Sequence, residues 1–313
     1  MTILPTLRQL RYLVAIIDLR HFGKAAERCL VTQSTLSAGL KDLENIVQAT
    51  LVERTKRTVT PTPLGETLAA QARTLLDGAE GIMETARSGG APLTGQLRLG
   101  VIPTIGPFVL PRVLKGLRLA YPDLKLYLRE DQTRPLLDRL HQGDLEAALI
   151  ALPFELTGFD TIDLGPDPLW FAAPADHPLI RAKRKTVSAA QIPPEEMLLL
   201  EDGHCLRDHA LAACQLNRAL ANRVSGGDGF QATSLYTVLE MTANGLGVTF
   251  IPEIALSAGL VKSGEIAVKP LAKDSPPRRI GLVWRKSYPR KDNMAALGAY
   301  LRGRMAGLRV KRR

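Results

Sequence analysis

Between Ala86 and Leu93 the chain changes its hydrophobic period, so two different kinds of domain are joined there. Up to Ala86 apolar residues recur every three or four positions, the spacing of amphipathic helices. Beyond Pro92 short alternating or continuous apolar runs take turns with helical stretches, the pattern of an α/β fold. Ser88-Gly89-Gly90-Ala91-Pro92 between them is a linker by composition. At 313 residues there is room for two or three cores, and 45% hydrophobic with 23% charged residues argues against disorder, collagen or a disulfide scaffold.

In the first part, Leu7, Leu10, Leu13, Val14 and Ile17 mark a first helix. In HFGKAAERCLVTQSTLSAGLKDLENI, Phe22, Ala25, Ala26 and Leu30 form one short apolar face. Leu36, Leu40 and Leu43 form another after a break at Val31-Thr32. Two short helices crossing at small residues, here Ala25 and Ala26, predict a helix-turn-helix. Its second helix would bring Thr32, Gln33, Ser34, Thr35 and Ser37 toward base edges, while Lys41, Arg54, Lys56 and Arg57 have the reach and charge for phosphates. The charged segment ERTKRTVTPT would form a wing beside the duplex. On periodicity alone, a plain helical hairpin with solvated polar faces stays open.

From Leu64 to Ala86, Leu68, Ala72, Leu75, Ala79, Ile82 and Ala86 step by four, three, four, three, four, a heptad seam. A long helix of this kind either packs on its own domain or pairs two heads. The net charge of +10 is no argument for DNA binding. From Pro276 onward 12 Lys and Arg face one acid, so the rest of the chain is near neutral, and the basic excess reads as a solvated tail. No window approaches a membrane span and the opening MTILPTLRQLRYLV shows no basic region followed by a long apolar run, from which a cytosolic protein is expected.

After the linker, QLRLGVI, LKLYLRED and LEAALIAL read as strands, with helices over PFVLPRVLKGLRLAYP and PLLDRLHQGD between them. This order predicts a parallel sheet with right-handed crossovers. A second series runs through LWFAAP, MLLLEDGHCLRDHALAACQL, GVTFIP and IAVKPL to RRIGLVWRK and a last helix near Asn293 to Gly307.

Three cysteines in a reducing compartment are no disulfide framework, so a disulfide here would be transient. Cys205 lies between His204 and Arg207, after the turn-forming Asp202-Gly203 and at the expected start of a helix. Cationic neighbours and a helix N-terminus both stabilise a thiolate, which makes Cys205 a candidate nucleophile. Cys214 is nine residues on, about 13.5 Å along an intact helix. A disulfide tolerates at most about 6.8 Å between Cα atoms, so bridging would require the segment to unwind. Cys29 and Cys214, each on an apolar helix face, equally suit core packing. A metal site is disfavoured, since no CxxC accompanies them.

The stretch from Leu7 to Gly65, with AAERCLVTQSTLSAGLKDLE and LVERTKRTVTPTPLGE, resembles the winged helix-turn-helix of LysR-type transcriptional regulators. It departs from them at Thr35, where a proline is common, and at Gly39, which should cost helix stability. LLLEDGHCLRDHALAAC is very close to the redox segment of OxyR-type peroxide regulators, and GVIPTIGPFVLP, EDQT, FQATSL and PRRIGLVWR are similar to their segments too. Phe230 stands where related sensors carry a polar residue.

The resemblance implies an α/β fold: an N-terminal winged helix-turn-helix over 6–63, a linker and dimerisation helix with hinge over 64–92, and a two-lobed regulatory domain over 93–308. That domain is similar to periplasmic solute-binding proteins, with lobe I at 93–167 and 272–308 and lobe II at 168–271. The resemblance further implies that Cys205 reacts with hydrogen peroxide and Cys214 resolves it to a disulfide. Thr104 would hydrogen-bond the peroxide with Thr133 nearby, His204 and Arg207 would hold the thiolate, Asp208 would anchor the loop, and Arg279 would approach from the other lobe. The partners implied are promoter DNA, RNA polymerase, cellular thiol reductants and copies of the chain itself, a homodimer or homotetramer. No cofactor is implied. Two other readings stay open: a LysR regulator binding a small organic effector in the interlobe cleft, and a thiol enzyme carrying a DNA-binding head, for which no second catalytic motif is present.

Overall fold

A computed structural model describes residues 4–54, 59–88, 91–215, 232–261, 264–272 and 278–308. The chain divides into two compact units, one of them Met1–Ala91 with 142–144 and 287–291, the other the remainder.

The first unit begins with α1 (Leu7–Leu19), α2 (Phe22–Arg28) and α3 (Gln33–Val47). A capping box starts α1: the Thr6 hydroxyl accepts from Gln9 N–H at 3.2 Å, and Gln9 Oε1 accepts from Thr6 N–H at 2.9 Å. Thr32 caps α3 by accepting from Thr35 N–H at 3.2 Å. Leu13, Ile16, Ala25, Leu36 and Leu40 are sealed in the core where the three helices meet. Gly39 has a packing reason that offsets its helix cost of about 1 kcal/mol. A Cβ there would stand 2.6 Å from Tyr12 Cδ2, so the buried Tyr12 ring rests on the α3 backbone.

The wing consists of β1 (Val52–Arg54) and β2 (Val59–Pro61), antiparallel with Val52 opposite Pro61. Lys56 and Arg57 lie outside the described residues. The long helix α4 (Pro63–Ser88) follows, and its heptad seam splits in two. Ala69 and Ala72 are buried in the head's own core, whereas Leu75 and Ile82 are 58% and 73% exposed.

The second unit holds two sheets. In the first, β3 (Gly95–Val101) runs parallel to both β4 (Leu124–Glu130) and β5 (Ala147–Leu152). The intervening helices are α5 (Gly106–Ala120) and α6 (Thr133–Gln142). This is the expected crossover series. Two antiparallel strands, β6 (Phe159–Asp167) and β10 (Arg278–Arg285), complete the order β4-β3-β5-β10-β6. The second sheet centres on β7 (Leu169–Pro174), antiparallel to β8 (Thr249–Pro252) and β9 (Ile266–Pro270). With it go α7 (Pro178–Arg181), α8 (Cys205–Ala213), α9 (Leu235–Ala243) and α10 (Glu253–Ser257). The chain leaves the first sheet after β6, builds the second and returns in β10, which makes two lobes. The last helix, α11 (Lys291–Met305), starts two residues before its expected place. No helix among the described residues is long and apolar enough to cross a membrane.

Candidate functional site

Cys205 is the first residue of α8, with His204 as N-cap, and is 6% exposed. The preceding turn needs a glycine: Gly203 has φ +94°, and a Cβ there would run into the Gln132 side chain of the first lobe. Thr133, which opens α6 on that lobe, brings its hydroxyl 2.5 Å from Cys205 Sγ. The thiol of one lobe is thus hydrogen-bonded by the other.

Behind it stands Arg278, fully enclosed at the start of β10. Its Nε donates to Asp167 Oδ2 at 2.7 Å, and Nη1 and Nη2 donate to the Thr104 hydroxyl and carbonyl, each at 3.1 Å. Buried charges require such pairing. Thr133 meets the thiol directly, and Arg278 fixes Thr104 on the same lobe.

Burial pushes the Cys205 thiol above its ordinary range, while the Thr133 hydrogen bond and the Arg278 charge pull it back and Asp208 pushes it up further. His204 is sealed in, and burial lowers its imidazole below the usual range against the pull of Glu201, whose Oε1 lies 3.6 Å from Nε2. At neutral pH His204 is accordingly an uncharged neighbour. Arg207 is buried too, and its Nη1 donates to the Leu200 carbonyl at 3.1 Å, which ties α8 to the preceding segment. The expectation that His204 and Arg207 supply the cationic surroundings of the thiol is corrected: Arg278 is the cation that lowers the thiol.

A second correction concerns Arg279. Instead of approaching the thiol, it is exposed and donates from Nε to Asp163 Oδ2 at 2.6 Å. Neighbours on a strand point to opposite faces, so one position in register exchanges the two arginines. The signal was present in the sequence, because Arg278 shares parity with the apolar Ile280, Leu282 and Trp284.

Cys214 is the C-cap of α8, half-buried and a free thiol. Burial raises its pKa to about 11. It lies nine positions beyond Cys205 along α8, a rise of about 13.5 Å. Cys29 is also half-buried, with its Sγ 4.0 Å from the Arg11 carbonyl and its pKa raised by burial. Among the described residues no cluster of three or more His, Cys, Asp or Glu is disposed to hold a metal ion. Phe230 lies outside the described residues.

Sequence reasoning passed over His209, one turn of α8 beyond Cys205. Its Nδ1 is buried without a hydrogen-bond partner among the described residues. Helical spacing would have placed it on the face of the thiol.

In the first unit, Gln33, Ser34, Thr35 and Lys41 are exposed on α3, whose Leu36, Leu40 and Leu43 are buried, and Ser37 is half-buried. The Thr32 hydroxyl is engaged as the cap and in hydrogen bonds with Ser34 Oγ at 2.9 Å and Thr35 Oγ1 at 2.8 Å. Arg54 ends β1.

Comparison with known proteins agrees with this layout. The family model "Bacterial regulatory helix-turn-helix protein, lysR family" matches residues 7–66, and "LysR substrate binding domain" matches residues 90–306. The chain is 40% identical over 293 residues to the HTH-type transcriptional regulator EstR of Acinetobacter baylyi, covering 92% of this chain and 93% of that one. It is 38% identical over 304 residues to the DNA-binding transcriptional dual regulator OxyR of Escherichia coli, covering 96% of each. Among solved structures, a full-length OxyR variant from Pseudomonas aeruginosa superposes with a TM-score of 0.74 at 36% identity, over 96% of this chain and 98% of that one. A hydrogen peroxide-bound OxyR mutant from Corynebacterium glutamicum gives 0.64 at 34% identity, over 98% and 95%.

Proposed function

Because this chain belongs to the LysR family of DNA-binding transcriptional regulators, with OxyR proteins among its full-length relatives, we propose that it switches transcription in response to hydrogen peroxide through Cys205 and Cys214. The observation that carries this reading is the placement of the Cys205 thiol. It sits at a helix N-terminus, hydrogen-bonded at 2.5 Å by Thr133 and backed by the enclosed Arg278–Thr104 pair. A thiol needing only structural burial has no use for a hydroxyl on its sulfur and a buried cation that favours its thiolate.

In the proposed cycle the Cys205 thiolate attacks one peroxide oxygen. The S–O bond forms as the O–O bond breaks, and hydroxide leaves as water after taking up a proton. Thr104 and Thr133 would hold the peroxide, and Arg278 would stabilise the charge developing on the departing oxygen. Cys214 then attacks the sulfenic sulfur, expelling a second water and leaving the disulfide. Both sulfurs are oxidised by one peroxide, and cellular dithiols reset them by exchange. Since the disulfide is incompatible with an intact α8, its formation unwinds the helix and changes the lobes' packing.

The readout would be transcriptional and cytosolic. Gln33, Ser34, Thr35 and Ser37 would read base edges from α3, with Thr32 holding its start, and Lys41, Arg54 and Arg57 would meet phosphates. Two heads joined by the exposed part of the α4 seam would occupy paired half-sites, in a dimer or tetramer that engages RNA polymerase. Asp208 and Arg207 would set the resting position of the redox helix.

The test is a thiol map by mass spectrometry after one equivalent of hydrogen peroxide. A rapid Cys205–Cys214 disulfide with Cys29 left reduced is expected, and Cys205→Ser should abolish the transcriptional response. A persistently free Cys205 thiol would overturn the reading. The match to EstR, whose name makes no reference to peroxide, favours a second possibility, a small organic effector in the interlobe cleft. Calorimetry against metabolites would then find a ligand for protein whose Cys205 stays reduced.

A further inference from the structure

His209 lies in the middle of the segment that must unwind if Cys205 and Cys214 are to bridge, yet the proposed chemistry gives it no part. Its side chain is half-buried, and Nδ1 is sealed from solvent with no hydrogen-bond partner among the described residues. An uncharged imidazole tolerates that place far better than a charged one.

Among the described residues, three groups act on the ring. The backbone of Pro153, the residue after β5 on the first lobe, lies near the imidazole. Arg278, on β10 of the same lobe, is a cation close enough to act on both His209 and Cys205. Asp208, the preceding residue of α8, likewise acts on both. The redox helix meets the first lobe directly at Cys205, hydrogen-bonded to Thr133, and one turn on His209 lies near the Pro153 backbone of the same lobe.

We propose that His209 is a positioning residue of the redox switch, one that seats α8 against the Pro153 backbone while the thiols are reduced and takes up a proton when the helix is released. This rests on the disulfide reading above. A regulator built this way responds to acidity as well as to peroxide, because the oxidised form gains a proton that the reduced form excludes.

The sign follows from the two states. In the reduced form burial, reinforced by Arg278, lowers the pKa to about 4, with Asp208 and the Pro153 backbone opposing. Released into water, the ring returns to the ordinary value of about 6.5. Between those two values the oxidised protein binds the extra proton, so acid favours the disulfide and neutral pH favours the intact helix. Exchange with a small dithiol cancels the thiol protons on both sides of the equation, so the equilibrium constant isolates the imidazole. It should shift toward the protein disulfide by roughly 20-fold between pH 7 and pH 5 from this one residue.

The experiment equilibrates the full-length protein and its H209Q variant with oxidised and reduced dithiothreitol at several pH values, and counts free thiols by alkylation and mass. Glutamine keeps a polar side chain near the Pro153 backbone but does not titrate in this range. The expected result is that the ratio of wild-type to H209Q constants rises roughly 20-fold from pH 7 to pH 5. His204 is present in both proteins, so its contribution cancels. If the disulfide forms in both and the ratio does not change with pH, the inference about His209 is overturned while the peroxide reading stands. If wild type forms no disulfide, both fall. Should H209Q fail to fold, the imidazole C2 proton of His209 in wild type reads the same quantity, and titration at about 4 in reduced protein but near 6.5 in oxidised protein is required. Equal values in the two states would overturn the inference.

Discussion

At the residue scale, the thiol of Cys205 is pulled in two directions. Burial and Asp208 disfavour the thiolate, and Thr133 and Arg278 favour it, so the protonated form dominates near neutrality. The reactive fraction then grows about tenfold with each pH unit below the pKa. Peroxide oxidation is expected to accelerate steadily as pH rises through the neutral range. Thr133→Val removes the hydroxyl while nearly keeping the volume. A hydrogen bond to a charged group is worth about 1.5–3 kcal/mol, so the oxidation rate at pH 7 should fall by at least about tenfold. Stopped-flow oxidation under excess peroxide measures this. A wild-type rate would leave Thr133 a packing residue and nothing more.

At the scale of elements, β10 offers the sharpest contrast because two adjacent arginines have opposite surroundings. Arg278 is enclosed with Asp167, and their charges are fully desolvated. Arg278→Ala would strand a buried carboxylate, and a cost of about 3–5 kcal/mol is expected. Arg279 and Asp163 are each nearly half exposed, with 45% and 43% of the side chain accessible. Arg279→Ala should change stability by less than about 1 kcal/mol, because solvent screens the pair and ordering long side chains offsets the gain. Urea unfolding of the two variants decides the matter. Equal losses would contradict the alternation of β10. The same reasoning explains α3, where a glycine within the helix admits the Tyr12 ring and thereby joins α1 to α3.

At the scale of the whole molecule, α4 changes character along its length. Its N-terminal half belongs to the core of its own head, and its C-terminal half leaves Leu75, Ile82 and Met83 largely in solvent. Exposed apolar residues on a heptad seam suit a partner helix. Substituting both Leu75→Glu and Ile82→Glu should dissociate the assembly without lowering the melting temperature of the head. Light scattering together with thermal unfolding checks the pair of outcomes. An unchanged mass would place the interface elsewhere.

The helical heptads, the break at Val31-Thr32, the crossover series after Pro92 and the position of Cys205 at a helix start were all legible in the residues, because each depends on neighbours a few positions apart. The antiparallel completion of the first sheet by β6 and β10 was not, since its pairings join residues more than a hundred positions apart. The site shows the same division. Gly203 and Cys205 announce a turn and a helix start locally, but which cation reaches the thiol depends on a strand returning from the far end of the chain, and its register selects Arg278 over Arg279. His204 looked cationic in sequence and is neutral in the fold, because burial is a property of the packed molecule. The sequence alone determined the local elements and singled out Cys205 as the candidate sulfur. Tertiary structure decided what surrounds that sulfur, since desolvation and charge act through space and not along the chain.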